Sequence, residues 1–456
     1  MKIPEPAPNV SDILRKEAFF KKVNFLKKAS EMQGLIQKAN GEYIYWDKVK
    51  YLSFPEDINP EIFWAYLKLI RMGQNKGIPA KDTKGNFFGF WLPESIQKEL
   101  HFIDQNASGN ILMDSPSVHA GQKERYLVSS IMEEAIASSQ LEGAATTRKH
   151  AKAMLRSGRK PKNKAEQMIV NNYLTIKDIK EKVKEPLTPN LISYFQAMIT
   201  HQTLEDEKDS GKFRTAKDEI QVVDNEGHVL HVPPPAEAVQ REVELLCEFA
   251  NENDDSNFIH PVVKATILHF WLAYIHPYVD GNGRTSRVLF YWFMLKHGYW
   301  MIEYLSISRI IVKSPSQYAR AFLYSEIDDQ DITYFIVFHL RVIHLAIELL
   351  NAYLKRQQKQ IQEAEKYLKN YPGLNNRQIT ILQHALSHPD AEYTVEYYKN
   401  VHDIVYQTAR TDLLGLQKKG LFKVIKRGGT FYFTPNEVLH IKLKESKQHS
   451  SSRQTI

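Results

Sequence analysis

Residues 276–287 read HPYVDGNGRTSR, which places an imidazole, a carboxylate, two glycines around an asparagine and two guanidiniums in one short run. The apolar stretch ILHFWLAYI (267–275) before it and RTSRVLFYWFMLKHG (284–298) after it both carry helical patterns, the second with Lys296 and His297 in its last turn and Gly298 as a C-cap. The spacing therefore predicts a helix–loop–helix corner, with the glycines at the start of the second helix. Unpaired N–H groups and the positive end of the helix dipole favour an anion there. Gly281 and Gly283 let the backbone approach that anion without a Cβ in the way. Arg284 and Arg287 share a face and oppose the dipole, at a cost of roughly 0.3–1 kcal/mol each. Such crowding of positive charge suits a multiply charged ligand, and a triphosphate fits. Asp280 is then the natural Mg²⁺ ligand, and His276 the general base that takes a proton from an incoming hydroxyl. Taken one by one, a Gly-Asn-Gly is a turn, an arginine pair a solvated face and a histidine a structural residue; their joint order at a helix start points to chemistry.

A second candidate lies in RYLVSSIMEEAIASSQLEGA (125–144). Val128, Ile131, Ala135, Ser138 and Glu142 follow a three–four spacing and form one helix face. The stripe begins apolar and ends in a hydroxyl and a carboxylate, so Glu142 is expected to point inward and to need a cationic partner. The alternative is a frayed last turn with Glu142 in water, since Gly143 follows.

These segments need a scaffold. The chain has 456 residues, 43% hydrophobic and 25% charged, with a net charge of +7. That is the profile of a folded protein of several domains. The charge permits a nucleic-acid or phosphate-rich partner without requiring one. Cys247 is the only cysteine, which excludes an internal disulfide and a cysteine-based metal site and suits a reducing compartment; a cytoplasmic location is expected. The start shows no basic-then-apolar leader pattern. YFIVFHLRVIHLAIELL (334–350) is interrupted by Arg and His and reads as a buried helix, so no membrane partner is expected. GxxxxGK[ST], HExxH and internal repeats are absent.

Along the chain, residues 1–120 read as a mostly helical N-terminal segment packing on the core, with WDKVKYLSFP and EIFWAYLKLIRMG as separate elements and NASGN (106–110) and DSPS (114–117) as loops. Helices follow at about 121–145 and over NKAEQMIVNNYLTIKDIKEKV (163–183). EIQVVDNEGHVLHVPPP reads as a β-hairpin over about 219–233, stopped by three prolines. Helices resume from about 236 to 371, the last part, 351–371, as a linker helix. NNRQITILQHAL, TVEYYKNV and VYQTARTDLLGLQKKG then predict three short helices, and LFKVIKRGGTFYFTP a strand, a Gly-Gly turn and a strand. That order over 372–440 is the winged-helix pattern. Val405, Ala409, Leu413 and Leu416 form the apolar face of its third helix, which leaves Gln407, Thr408, Arg410 and Thr411 to reach a DNA groove and Lys423, Lys426 and Arg427 to meet phosphates. A protein-interaction or dimerisation unit is the alternative. Residues 441–456 form a polar tail expected to be disordered.

HPYVDGNGRTSR resembles the Fic motif, HPF-x-[DE]-GNGR-x-x-R, at every position but one, where Tyr278 replaces phenylalanine. SSQLEG resembles the inhibitory motif [ST]-x-x-x-E-[GN] of that family, with Ser138, Glu142 and Gly143 at its fixed positions. The resemblance covers roughly residues 120–350, with GKFR (211–214) and the prolines at 233–235 similar to the borders of the family's flap. It implies a mainly α fold: an all-helical Fic core at 121–350 with an inhibitory helix at about 125–143, a β-hairpin flap and, C-terminally, the winged-helix domain. It implies a protein adenylyltransferase that moves AMP from ATP, with Mg²⁺, onto a Ser, Thr or Tyr hydroxyl of a target protein. In that assignment His276 is the base and Asp280 holds Mg²⁺. Gly281, Asn282 and Gly283 form the anion hole, Arg284 contacts the α- and β-phosphates, and Arg287 pairs with the γ-phosphate. Glu142 would pair with Arg287 and hold the enzyme inactive, or also support AMP removal. The flap would dock the target by strand addition, a plain surface hairpin being the alternative. Tyr318 in SPSQYARAF is a candidate adenine contact, or a core aromatic. Relatives that move phosphate, UMP or phosphocholine, and a DNA-binding regulator that senses nucleotide, are the competing functions. The target protein and the oligomeric state, a homodimer among the candidates, stay open.

Overall fold

A computed structural model describes residues 3–15, 25–55, 58–108, 120–224, 226–252, 257–369, 371, 373–439, 441 and 443. The loop expected at 114–117 and the tail from 444 onward lie outside the described residues. The chain forms two compact units, residues 1–109 with 130–347, and 110–129 with 348–456.

The first unit opens with α1 (Val10–Arg15), α2 (Phe25–Gly41), α3 (Trp46–Val49) and α4 (Pro60–Gln74). Asn59 caps α4 by accepting the Ile62 N–H at 2.8 Å, with Pro60 at the first helical position. A hairpin that the sequence reading did not anticipate follows, β1 (Lys76–Lys81) with β2 (Phe87–Phe90). Its turn is built by Asp82, whose carboxylate accepts the N–H groups of Lys84 and Asn86 at 2.9 and 2.7 Å. After α5 (Glu94–Ile103), residues Asp104–Ser108 continue as a π-helical turn, so Asn106–Ser108, expected in a loop, extend a helix instead. The physical reason is tertiary: Tyr299 and His260 hold the Asp104 carboxylate at 2.6 and 3.0 Å.

Four helices follow, α6 (Ala120–Leu141), α7 (Arg148–Ser157), α8 (Lys164–Lys182) and α9 (Pro189–Thr200). Thr147, Asn163 and Thr188 cap the last three by accepting backbone N–H groups of the first turn. The hairpin read at 219–233 is present as β3 (Val222–Val223) and β4 (Val229–His231). Next come α10 (Ala236–Asn251), α11 (Pro261–Ile275), α12 (Asn282–Lys296), α13 (Ile307–Ile311), α14 (Pro315–Ile327) and α15 (Thr333–Lys369). Central position follows from composition: α11 is apolar all round, α12 is apolar from Val288 to Leu295, and the two pack on each other and bury Ile267, Leu268, Trp271, Val288, Phe290 and Trp292. α8 and α9 pack on α12. The helix expected at 351–371 is present as the continuation of α15 to Lys369. Thr333–Arg356 is long and apolar enough to cross a membrane, and half of that stretch is buried in the protein, with Phe335, Ile336 and Ile343 fully enclosed.

The second unit contains α16 (Asn376–Ser387), α17 (Val395–His402), α18 (Tyr406–Lys418) and the hairpin β5 (Phe422–Arg427) and β6 (Thr430–Pro435). Gly428 and Gly429 form the two-residue turn, both with positive φ, as a tight hairpin requires. Leu382, Tyr398, Leu413, Leu416, Phe433 and Leu443 share its core. Two expectations are corrected. Val405 lies at the N-cap of α18 and is 68% exposed, outside the apolar face it was assigned to. Leu443, inside the stretch read as a disordered tail, is fully buried. Asp412 on α18 is buried and ties the helices together, accepting from Asn375 at 2.7 Å and Arg377 at 2.9 Å.

Candidate active site

The site is assembled where α11 gives way to α12. His276 caps α11 in the left-handed region, at φ 50 and ψ 57, with its N–H on the Leu272 carbonyl at 3.1 Å. A non-glycine residue there carries strain of about 1–2 kcal/mol, and the change of direction swings the next residues away from the helix axis. Tyr278 is fully buried and its hydroxyl meets Ser193 at 3.1 Å, so the aromatic anchor is kept despite the extra oxygen. Asn282 closes the corner as a clamp. Its Oδ1 accepts the Tyr278 N–H at 2.9 Å and its Nδ2 donates to the Tyr278 carbonyl at 2.7 Å. The Asn282 side chain is thus spent on shape, and only its backbone N–H is left for an anion. Gly281, at φ 87, has no room for a side chain: a Cβ would lie 2.7 Å from the Thr200 methyl.

Both motif arginines are buried. Arg284 donates to the Ile199 carbonyl at 3.1 Å and to Asp280 Oδ1 at 3.2 Å, and its buried Nε has no hydrogen-bond partner among the described residues. Arg287 donates through Nε to the Ser138 hydroxyl at 2.8 Å and through Nη2 to the Ser138 carbonyl at 3.0 Å and to Glu142 Oε1 at 2.7 Å. Ser138 and Glu142 are thus brought to the corner from α6, and Gly143, at φ 86, turns the chain away behind them. The Glu142 carboxylate rests against Gly283: a Cβ on that glycine would lie 2.3 Å from Oε1. An anion therefore already sits over the glycines at the start of α12. Burial opposes the charge on Glu142, but Arg287, with Arg284 and His276, holds its carboxyl below the usual range.

His276 faces the same space. Its Nδ1 lies 3.3 Å from the Ala273 carbonyl, which fixes the proton on Nδ1 and leaves the lone pair on Nε2. Burial, only partly offset by that hydrogen bond, brings its pKa down to about 4, so the ring is neutral at pH 7. Asp280 keeps a 41% exposed carboxylate, with Oδ1 taken by the Gly281 N–H and Arg284. Tyr318 stands behind Arg287. Its hydroxyl is shared with His269 Nε2 at 2.9 Å and with Arg287, and its ring packs among Phe322, Phe335 and Phe338.

Two residues of the site were not picked out from the sequence. Arg214 donates to the His276 carbonyl at 2.8 Å, to the Ile275 carbonyl at 3.3 Å and to the Pro234 carbonyl, while its own N–H reaches Pro277 O at 2.9 Å. It pins the His276 corner to the segment that follows the β3–β4 hairpin. Its place in GKFR, the border of the hairpin, was the available signal. His231, at the end of β4, bridges Glu326 at 2.7 Å and the Tyr274 carbonyl at 2.8 Å. Nothing local to His231 marked it. At the flap turn Asp224, Glu226 and His228 converge, but Asp224 is engaged in shaping the turn, accepting the N–H groups of Glu226 and His228 at 2.9 and 3.0 Å.

The core is mainly helical, with an anion corner between two buried helices, a histidine at the C-cap of the first and a short hairpin beside it, the arrangement that the resemblance of HPYVDGNGRTSR implies. Residues 186–294 match the Fic/DOC family. Proteins named protein adenylyltransferase Fic are similar to the chain. That of Drosophila grimshawi is 39% identical over 69 residues, 15% of this chain and 14% of the relative. That of Nematostella vectensis is 35% identical over 69 residues, 15% of this chain and 16% of the relative. The matched stretch therefore spans about one seventh of the length of these curated relatives. Among solved structures, a Fic family protein from Desulfovibrio desulfuricans covers 75% of this chain and 94% of its own at a TM-score of 0.49 and 16% identity. Fic-1 (residues 134–508) from C. elegans covers 72% of this chain and 85% of its own at a TM-score of 0.48 and 17% identity.

Proposed function

We propose that this protein is a self-inhibited protein adenylyltransferase. The observation that carries this is the Glu142 carboxylate seated over Gly283 and bonded to Arg287 at 2.7 Å, beside a neutral His276 with a free Nε2 lone pair. A carboxylate held there is a stand-in for phosphate oxygens at a helix start. In the active state the phosphates of ATP take that place. His276 Nε2 accepts the proton of a Ser, Thr or Tyr hydroxyl of the target protein. The hydroxyl oxygen forms a bond to the α-phosphorus, the bond from that phosphorus to the oxygen bridging to the β-phosphate breaks, and pyrophosphate leaves. Backbone N–H groups of the glycine corner stabilise the developing charge, and Arg284 adds a positive charge beside them. Asp280 fits a Mg²⁺ held jointly with the phosphates, since one carboxylate oxygen is engaged and the other has no hydrogen bond among the described residues. Such an ion would neutralise phosphate charge. The flap, fixed beside His276 by Arg214 and His231, docks the target segment.

Inhibition is competition for one guanidinium. While Glu142 holds Arg287, the γ-phosphate lacks its partner and ATP binds without the alignment that in-line attack needs. The test is transfer from α-labelled ATP with Mg²⁺ into lysate proteins by the wild type, Glu142→Gly and Glu142→Gly/His276→Ala. Labelled bands with Glu142→Gly, at least tenfold above wild type in order of magnitude, and none with the double variant, are expected. Equal labelling by wild type and Glu142→Gly removes the inhibitory role, and transfer of the γ-phosphate in place of AMP removes the adenylyltransferase.

The C-terminal unit is read as a winged-helix module that binds DNA or protein. Gln407, Arg410 and Thr411 are exposed on α18, which supports a docking face there. Of the basic wing residues, Lys423 pairs with Glu437 and Arg427 with Glu392, which leaves Lys426 as the least committed to a carboxylate.

A further inference from the structure

A second buried acid fastens the helix that carries Ser138 and Glu142. Glu134, Ser138 and Glu142 are spaced by four along α6 and its end, so they line one face. Glu134 is 2% exposed. Its carboxylate accepts the Ser306 hydroxyl at 2.9 Å, the Ser308 N–H at 3.0 Å and the Ser308 hydroxyl, and the Tyr291 hydroxyl lies beside it. Ser306 is the N-cap of α13 and Ser308 lies in its first turn. Tyr291 is one turn beyond Arg287 on α12. The two helices therefore meet as an antiparallel zipper. Ser138 and Glu142 hold Arg287 at one rung, and Glu134 sits against Tyr291 and the α13 serines at the next.

Among the described residues, the donors to Glu134 are hydroxyls and a backbone N–H, and none is a cationic side chain. A buried carboxylate held that way tolerates only the register that keeps those donors. Rotating or sliding α6 by a fraction of a turn strips them, so Glu142 cannot withdraw with the helix from Arg287 while Glu134 stays bound. On the adjoining position Glu133 pairs with Arg148 and Lys152, which ties α6 to α7 but not to the catalytic corner. We propose that Glu134 is the positioning residue that fixes the register of α6 and so sets how firmly Glu142 holds Arg287. This rests on the inhibitory role of Glu142 stated above.

The experiment compares wild type, Glu134→Ala, Glu142→Gly and the double variant, with Glu134→Gln as the isosteric control. Two quantities are read: amide hydrogen exchange over residues 135–141, and transfer from α-labelled ATP. Glu134→Ala is expected to speed exchange there by about tenfold and to raise labelling by about fivefold when Glu142 is present, with no further rise in the Glu142→Gly background. Glu134→Gln falls between Glu134→Ala and wild type. An equal fall in labelling in both backgrounds, or unchanged exchange in Glu134→Ala, overturns the proposal and leaves Glu134 as a fold contact. Failure of Glu142→Gly alone to raise labelling strikes the inhibitory role of Glu142 instead, and the exchange over 135–141 still decides whether Glu134 fixes the helix.

Discussion

His276 is the residue on which pH acts most directly. Its pKa is lowered from 6.5 to about 4, first by burial, against the Ala273 hydrogen bond and the charge of Glu142, which both raise it. A general base works when unprotonated, so in the proposed mechanism His276 is ready to accept a proton well below neutrality. In the Glu142→Gly variant one charge that favours the imidazolium is gone, and the pKa moves further down. Labelling by that variant is expected to be flat from about pH 6 to 8 and to show no titration near 6.5; a rate that rises through pH 6.5 would mean the ring is not buried as described. The same shift acts on stability. The unfolded chain takes up the proton near 6.5 and the folded chain only near 4, so the His276 contribution destabilises the fold progressively as pH falls through that window. His276→Gln should therefore lose less thermal stability than wild type between pH 6.5 and 4, as followed by melting. The place of His276 between two helices was legible from the sequence, and its role as a base is the expectation carried into the proposed mechanism. Its left-handed backbone was not legible, because a C-cap conformation depends on where the chain must go next.

At the scale of elements, the corner holds its shape through contacts made by the flap and by α9. Arg214 supplies hydrogen bonds to the carbonyls of Ile275, His276 and Pro234 from an 8% exposed side chain. Arg214→Ala leaves these acceptors buried and unpaired, which costs about 3 kcal/mol of stability. Because the acceptors include the carbonyl of the base itself, labelling in the Glu142→Gly background should fall by about tenfold or more beyond any change in melting temperature. Activity intact with only a lowered melting temperature would confine Arg214 to the fold. The helices at 163–183 and before His276 were readable from their patterns, whereas α9, capped by Thr188, was not read from the sequence. The β1–β2 hairpin was missed because its strands, KGIPAK and FFGF, lack the β-branched alternation that marks a strand, and its turn depends on Asp82 folding back on Asn86.

For the whole molecule, the open question is what the C-terminal unit adds. A winged-helix module that binds DNA uses phosphate contacts whose strength falls steeply with salt. Of Lys423, Lys426 and Arg427 on the β5–β6 hairpin, two already face carboxylates, so if the unit binds DNA few phosphate contacts remain and the binding should be weak. The full chain is expected to retain random duplex DNA in a mobility-shift experiment at low salt and a chain ending at about residue 370 to release it, with the difference lost at 0.2 M salt. No retention by the full chain would assign the exposed face of α18 to protein.

The sequence by itself determined the local chemistry. Fixed spacings place glycines at a helix start, an imidazole before them, two guanidiniums on one face, and a serine and a glutamate a turn apart, because helix periodicity is a property of neighbouring residues. Only the tertiary structure decided which of these groups meet. Ser138 and Glu142 reach Arg287 across 145 or more residues, Arg214 crosses to the base, and Asp412 gathers the C-terminal helices. Those pairings are set by how buried faces pack and by the need of each enclosed charge for a partner, and no spacing along the chain records them.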